Sequence, residues 1–180
     1  MDKNWMTEAF RVAVLTLPGL IEPSTAVAAN RAGELGLLDL EYVNDQGAAL
    51  RAVKKLAGAV KSDFGIKLNA ARPDFIEKLL TELPDRLKTV VLTARDPQVL
   101  GPTVRAFREK GVAVLIEANC LVQAQLAQTT EAGGVVAKGH EAGGRVSDET
   151  TFILLQRSNG SSLSQSGTVP VDLVQTHGPM

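Results

Sequence analysis

Seven short apolar runs recur along the chain, separated by stretches of mixed polarity. The first six begin at positions 12, 36, 64, 89, 112 and 133, so one repeat has the length of a strand, a helix and two loops. The runs are continuously apolar rather than alternating, which is typical of parallel strands buried on both faces. They are VAVLTL from Val12, GLLDLEYV from Gly36, FGIKLNA from Phe64, TVVLTA from Thr89, VAVLIEA from Val112, GGVVAKG from Gly133 and VPVDLV from Val169.

The spacing of apolar residues predicts a helix in five of the intervening segments. The segment Gln46–Val60 has a single apolar stripe, because apolar residues recur in it at intervals of three and four: Leu50, Val53, Leu56 and Val60. The predicted helices are Ser24–Ala32, Gln46–Val60, Arg72–Leu83, Pro97–Lys110 and Leu121–Thr130.

This alternation of strands and helices is compatible with two architectures, an open doubly wound sheet and a closed eight-stranded barrel. The first turn, LPGLIEPS from Leu17, lacks the GxGxxG signature of a dinucleotide-binding sheet, and the even repeat favours a TIM-type (β/α) barrel with outer helices. Such barrels typically need about 250 residues and eight strands, so we expect an incomplete barrel of about seven strands. We expect one domain over residues 1–180, with a polar loop at residues 157–168 before the last strand.

The composition argues against several classes of function. A net charge of -1 does not suit a protein that binds a phosphate backbone, and five Phe, one Trp and one Tyr are few for stacking on single strands. The one cysteine, Cys120, cannot form an intramolecular disulfide, which fits a reducing compartment. No apolar run approaches the roughly 18 residues of a membrane span. We therefore expect a cytoplasmic protein without nucleic-acid or membrane partners.

The carboxyl ends of the strands form the functional face of a parallel barrel, and the richest of these exits is KGHEAGG, Lys138 to Gly144. Lys138 ends an apolar strand, so it either extends to solvent or faces the barrel mouth, where it needs an anionic or electron-rich partner. Glycines here would let a ligand approach the backbone, although a Gly pair is also a common turn. An exposed His140 can simply face solvent, and Asn69 can satisfy loop backbone groups.

The tetrapeptide EAGG occurs twice, at Glu131–Gly134 and at Glu141–Gly144. The first copy precedes the sixth strand, where Gly133 and Gly134 would stop the helix and turn the chain. The second copy follows the same strand on the functional face. A strand of about five residues spans roughly 17 Å, so the two copies cannot share one ligand.

The residues from Val12 to Gln156 resemble the nitronate monooxygenase family, formerly called 2-nitropropane dioxygenases. The resemblance rests on FGIKLNA, VVLTARDP and VVAKGHEAGGR, in that order. The longer stretch KGHEAGGRVSDETTFILLQ is most similar to family domains inside polyketide and polyunsaturated-fatty-acid synthases. The resemblance implies an FMN-dependent barrel, a copy truncated at its C-terminus, and a small-molecule or acyl-thioester substrate with other synthase modules as partners.

Carried over by position, the resemblance implies a set of FMN-binding residues and two candidate catalytic residues. Asn69 and the first turn would contact the flavin, and Lys138, where many members have Gln, would lie against the ring. The implied FMN-binding residues are Leu17, Pro18, Gly19, Asn69, Lys138, Gly143 and Gly144, and the candidate catalytic residues are Lys138 and His140. No metal is implied.

Two departures from the family pattern shape the functional hypotheses. Many members have a catalytic histidine directly after EAGG, and Arg145 stands there in this chain. The glycine-rich loops that hold the FMN phosphate in the family follow later strands and have no counterpart here, so we expect weak or absent flavin binding. The leading hypothesis is an FMN-dependent oxidoreductase, an enoyl-thioester reductase module in particular. The alternatives are a nitronate monooxygenase that uses oxygen, a non-catalytic scaffold, and a phosphate-binding barrel lyase or epimerase. In the last of these, Lys138 would form an imine or transfer a proton.

Overall fold

The structure, a computed structural model, describes residues 12–94, 96–143, 145, 146, 148–160 and 170–172. Strands and helices alternate throughout this part of the chain. The strands are β1 (Ala13–Leu15), β2 (Leu35–Asp39), β3 (Phe64–Asn69), β4 (Leu87–Thr93), β5 (Ala113–Ala118), β6 (Gly134–Ala137) and β7 (Pro170–Asp172). The helices are α1 (Ser24–Arg31), α2 (Gln46–Ala59), α3 (Pro73–Thr81), α4 (Pro97–Glu109), α5 (Leu121–Thr129) and α6 (Thr151–Gly160). None of these helices has the length and apolarity needed to cross a membrane.

The seven strands form one parallel sheet in which each strand pairs with its neighbours in sequence order. Strictly sequential parallel pairing with a helix between successive strands is the arrangement of a TIM-type barrel, because an open doubly wound sheet reverses its strand order. Among the described residues, β1 and β7 are the two edge strands of this sheet. The expected fold class, a barrel of about seven strands, is confirmed.

Buried side chains lie on both faces of the sheet, which explains the continuously apolar runs. Leu38, Ile66 and Ile116 belong to the larger core between the sheet and the helices. The inward-facing positions next to them form a smaller core inside the curled sheet, made of Leu37, Val91, Leu115 and Val136. The two cores alternate residue by residue along each strand, so every second side chain faces the barrel interior.

The close approach of α1 to the sheet depends on a glycine in β2. A β-carbon added to Gly36 would overlap the backbone carbonyl group of Ala26, which lies in α1. The absence of a side chain therefore lets the first helix pack directly on the second strand, and Ala26 is fully buried in the larger core.

The helix α6 is the element that the apolar pattern does not predict. Its apolar residues Phe152, Ile153 and Leu154 are consecutive rather than spaced by three or four, and only Leu154 is fully buried among them. The helix is capped by Thr150, whose hydroxyl accepts a hydrogen bond from the backbone N–H of Ile153 at 3.2 Å.

The start of the expected polar loop at residues 157–168 is wrong, because residues 157–160 belong to α6. Polar residues are compatible with this last turn of the helix. The Ser158 hydroxyl, for example, donates a hydrogen bond to the Leu154 carbonyl oxygen one turn earlier, at 2.7 Å. Residues 161–168 lie outside the described residues.

Candidate functional site

Five charged side chains are buried together inside the barrel, towards the carboxyl ends of the strands. Asp39 ends β2 and Glu41 follows two residues later, Lys67 lies in β3, Glu117 in β5, and Lys138 directly after β6. All five are at most 9% exposed. We call these five residues the interior charge cluster. Asp39, Lys67 and Glu117 face inward because each lies two residues beyond an inward-facing position of its strand. These positions are Leu37, Gly65 and Leu115.

Glu117 joins the two lysines of the interior charge cluster. One of its carboxylate oxygens lies 2.7 Å from the Lys67 ammonium nitrogen, and the other lies 3.3 Å from that of Lys138. The Lys67 ammonium also lies 2.9 Å from Glu41 and 3.8 Å from Asp39. Lys67 thus lies among three carboxylates, which offset the cost of burying its charge.

The pKa values of Asp39 and Lys67 are both raised, for different reasons. Burial raises the pKa of Asp39 above its ordinary value, and the nearby Lys67 only partly offsets that effect. Burial would lower the pKa of Lys67, but the carboxylates of Glu117 and Asp39 outweigh it, and the pKa is raised above 10.5. Lys67 is therefore a cation at neutral pH, whereas burial favours the protonated form of Asp39.

A small cavity of about 30 Å³ lies beside the cluster, a volume that suits one or two water molecules. Its charged lining is Lys67, Glu117 and Lys138, and the smaller core supplies the apolar floor. Thr93, at the end of β4, is 9% exposed, and its hydroxyl makes no hydrogen bond within the described residues. A buried hydroxyl without a partner at the barrel mouth is available to a polar ligand.

The first strand exit, where flavin contacts are expected, is an open turn. Leu17 is 55% exposed, Pro18 is half-buried, and Gly19 is exposed with a φ of 79°. The left-handed backbone at Gly19 requires glycine, and no atom lies near the place where a β-carbon would be. The turn therefore offers an accessible backbone, as a ligand-contacting turn needs.

Asn69 is half-buried at the end of β3, two residues beyond Lys67. Its side-chain oxygen accepts a hydrogen bond from the backbone N–H of Ala71 at 2.9 Å. The acceptor side of this amide therefore serves the local turn, and only the amide NH₂ remains to donate to a flavin. The structural and the ligand-binding interpretations of Asn69 are compatible.

The connection from β6 to α6 is anchored to the first turn of that helix. The Gly139 N–H donates to the Thr151 hydroxyl at 2.8 Å, and the Thr151 N–H donates to the Glu141 carboxylate at 2.8 Å. Bonds from the Glu141 backbone N–H and from Thr151 hold the pKa of Glu141 below its ordinary value. Glu141 of the second EAGG copy therefore caps α6.

Neither His140 nor Gly143 is a member of the interior charge cluster. His140 has an exposed side chain and does not line the cavity, although its backbone N–H donates to the Glu149 carbonyl oxygen at 2.8 Å. Gly143 is half-buried, and Gly144 lies outside the described residues. The roles of His140, Gly143 and Gly144 stay predictions.

The first EAGG copy lies at the opposite end of β6. The helix before it ends at Thr129, and Glu131, not a glycine, has the left-handed backbone, with a φ of 58°. Gly134 is already the first residue of β6, and the Gly133 N–H donates to the Val114 carbonyl oxygen at 2.8 Å. The chain therefore turns at Glu131, while Gly133 begins pairing with β5.

Among the five members of the interior charge cluster, the sequence assigns a functional role only to Lys138. Asp39, Glu41, Lys67 and Glu117 all lie within apolar runs that predict buried strands. A charged residue inside such a run must find a partner in the fold, because an unpaired buried charge is costly. A charged residue within an apolar run is visible in LLDLE, GIKLN and VLIEA, and it could have identified the cluster from the sequence.

Comparisons with known proteins agree with the fold and with the family resemblance. No protein-family model matches the chain. A curated nitronate monooxygenase from Pseudomonas aeruginosa is 27% identical, and the match covers 70% of this chain and 46% of the relative. The resemblance to the nitronate monooxygenase family is thereby confirmed.

Two solved structures share the fold of the chain. FabK from Thermotoga maritima matches with a TM-score of 0.71 at 22% identity, over 84% of this chain and 48% of that protein. Nitroalkane oxidase from Streptomyces ansochromogenes matches with a TM-score of 0.67 at 20% identity, over 87% of this chain and 58% of that protein. The chain spans about half the length of these proteins and of the curated relative.

The raised pKa of Asp39 gives a pH-dependent expectation for stability. A carboxyl group whose pKa is raised by folding favours the folded state at low pH and opposes it as the pH rises above the ordinary value of 3.8. We expect Asp39→Asn to gain free energy of unfolding relative to the unsubstituted chain, and to gain more at about pH 8 than at about pH 4. Urea unfolding at both pH values measures this.

The matched control for Asp39→Asn is Asp85→Asn, at an exposed position. It should change the free energy of unfolding little, because substitutions of exposed side chains away from buried contacts have small effects. A loss of stability in Asp39→Asn that grows with pH would show that the ionised carboxylate stabilises the fold.

Proposed function

We propose that this chain, a homologue of nitronate monooxygenase, is a flavin-dependent oxidoreductase whose FMN lies over the strand exits of the barrel. The observation that carries the proposal is the sequence similarity to the curated relative across 70% of the chain. The barrel fold supports it, because the carboxyl ends of parallel barrel strands are the usual place for a ligand. The interior charge cluster supplies polar groups at that place.

The residues at the barrel mouth fit a flavin ring in their chemistry. The ring presents carbonyl oxygens and ring nitrogens at one edge, and the mouth offers donors of three kinds. These are the Lys138 ammonium, the side-chain NH₂ of Asn69 and the hydroxyl of Thr93. The exposed backbone of Gly19 would allow close approach from the first strand exit. The apolar floor below suits an aromatic ring.

Bound FMN would supply a carrier that accepts a hydride and passes it on. The chain would hold the Lys138 ammonium where negative charge develops, and a fixed cation in a buried site stabilises such charge strongly. Glu117 keeps that ammonium at the mouth through their 3.3 Å contact. The smaller core places apolar side chains below the cluster.

For the substrate, we propose an enoyl thioester carried by a polyketide or fatty-acid synthase. The similarity of KGHEAGGRVSDETTFILLQ to synthase-associated domains supports this choice, as does Arg145 at the position where many nitronate monooxygenases have histidine. Arg145 is exposed at the mouth side of the barrel, so it could contact an anionic carrier group. Other synthase modules would then be the partners, in the cytoplasm.

Nitronate oxidation is the second candidate, and the name of the curated relative favours it. The two reactions differ in what they consume. Reduction of an enoyl thioester consumes a two-electron donor such as a reduced nicotinamide, whereas oxidation of a nitronate consumes oxygen. We expect loss of enoyl-thioester absorbance with the nicotinamide donor and no nitronate-dependent oxygen uptake. The reverse pattern would assign the chain to nitronate oxidation.

The flavin site itself is tested by titrating the purified chain with FMN and following the quenching of flavin fluorescence. We expect saturable but weak binding. Lys138→Met should raise the Kd roughly tenfold, because a hydrogen bond from a charged donor contributes about 1.5–3 kcal/mol. The matched control is Lys110→Met, an exposed lysine at the end of α4, which should leave the Kd unchanged.

Two outcomes of the titration would count against the proposal. The first is no saturable binding by the unsubstituted chain, which would favour the non-catalytic scaffold. The second is equal weakening by both lysine substitutions, which would place the flavin away from Lys138.

A further inference from the structure

Lys138 depends on Glu117 for its orientation. The lysine follows the last residue of β6, and its backbone N–H donates to the Ala118 carbonyl oxygen at 2.9 Å, which continues the ladder with β5. The side chain is long enough to reach solvent, yet it is only 9% exposed. Within the described residues, Glu117 is the one carboxylate at ion-pair distance from it.

Glu117 is in turn held by Lys67 rather than by Lys138. Its contact with Lys67 is 2.7 Å, shorter by 0.6 Å than its contact with Lys138 at 3.3 Å. Lys67 is fixed in place because it also contacts Glu41 at 2.9 Å, and it is 2% exposed. Without the ammonium of Lys67, the carboxylates of Asp39 and Glu41 would repel that of Glu117.

We propose that Lys67 is a positioning residue that acts through Glu117 to hold the Lys138 ammonium at the mouth of the barrel. Lys67 fixes the Glu117 carboxylate, and that carboxylate fixes the Lys138 ammonium. Each lysine contacts a different carboxylate oxygen of Glu117. Lys67 touches no reacting group in this scheme. What the ammonium of Lys138 then acts on rests on the proposed function, but its positioning is a property of the chain alone.

The inference is tested by the reactivity of Lys138 towards an acylating reagent, acetic anhydride in limiting amount, measured by peptide mass spectrometry without FMN. In the unsubstituted chain the ion pair with Glu117 holds the Lys138 amine in the barrel interior, where little of it is exposed. We expect Glu117→Gln to speed acylation of Lys138 about tenfold, because loss of a charge-assisted contact frees the amine to reach the reagent.

The role of Lys67 is isolated by repeating Glu117→Gln in a second background. Lys67→Met alone would leave three buried carboxylates with one cation, so the background also carries Asp39→Asn and Glu41→Gln. Far-UV circular dichroism checks that this charge-balanced variant folds. If Lys67 positions Glu117, the effect of Glu117→Gln on acylation should fall to less than about twofold there.

The exposed pair Arg108 and Glu131 provides the control, because Glu131→Gln is the same chemical change at a distant surface site. It should leave acylation of Lys138 unchanged. An equal effect of Glu117→Gln in both backgrounds would overturn the proposal, because Glu117 would then hold Lys138 without Lys67. No effect in either background would overturn it as well. Neither result depends on FMN, so failure here is distinct from failure of the flavin function.

Discussion

A lysine surrounded by carboxylates inside a barrel is the interaction on which the rest of this structure depends. The strands bring Lys67 into the interior by their alternation, and a buried ammonium is tolerated only where carboxylates meet it. Glu41 and Glu117 do so at 2.9 and 2.7 Å. The pairing links β3 to β5 and to the exit of β2 across the interior, and it brings Lys138 to the mouth. Packing of the sheet and chemistry of the site therefore share the same side chains.

The sequence carries most of the information about the fold. Parallel strands buried on both faces and helices with one apolar stripe are local patterns, and the boundaries of α2 and α4 differ from the expected ones by a single residue. The helix α6 is not predicted in this way because its apolar residues are consecutive. Its start is fixed by Thr150 and by contacts with the β6 exit. Tertiary contacts of this kind cannot be predicted from the spacing of apolar residues.

The candidate site is less accessible to sequence reasoning. Lys138 can be predicted because it ends an apolar strand and needs a partner, but the identity of that partner depends on which side chains of β3 and β5 face the same way. Lys67 and Glu117 are 50 residues apart in the chain and in contact in the fold. The two EAGG copies also show that local sequence does not determine the role of a residue. The glutamate of the first copy, Glu131, turns the chain, whereas that of the second, Glu141, caps a helix.

The most direct test of this account is the free energy of unfolding of Lys67→Met, measured by urea denaturation beside Lys55→Met. Removing one partner of a buried ion pair typically costs about 3–5 kcal/mol, and we expect a loss of that size for Lys67→Met. Lys55 forms an exposed pair with Glu22, and its removal should cost less than about 1 kcal/mol. Equal, small losses for the two variants would contradict the claim that the fold depends on the pairing of buried Lys67 with its carboxylate partners.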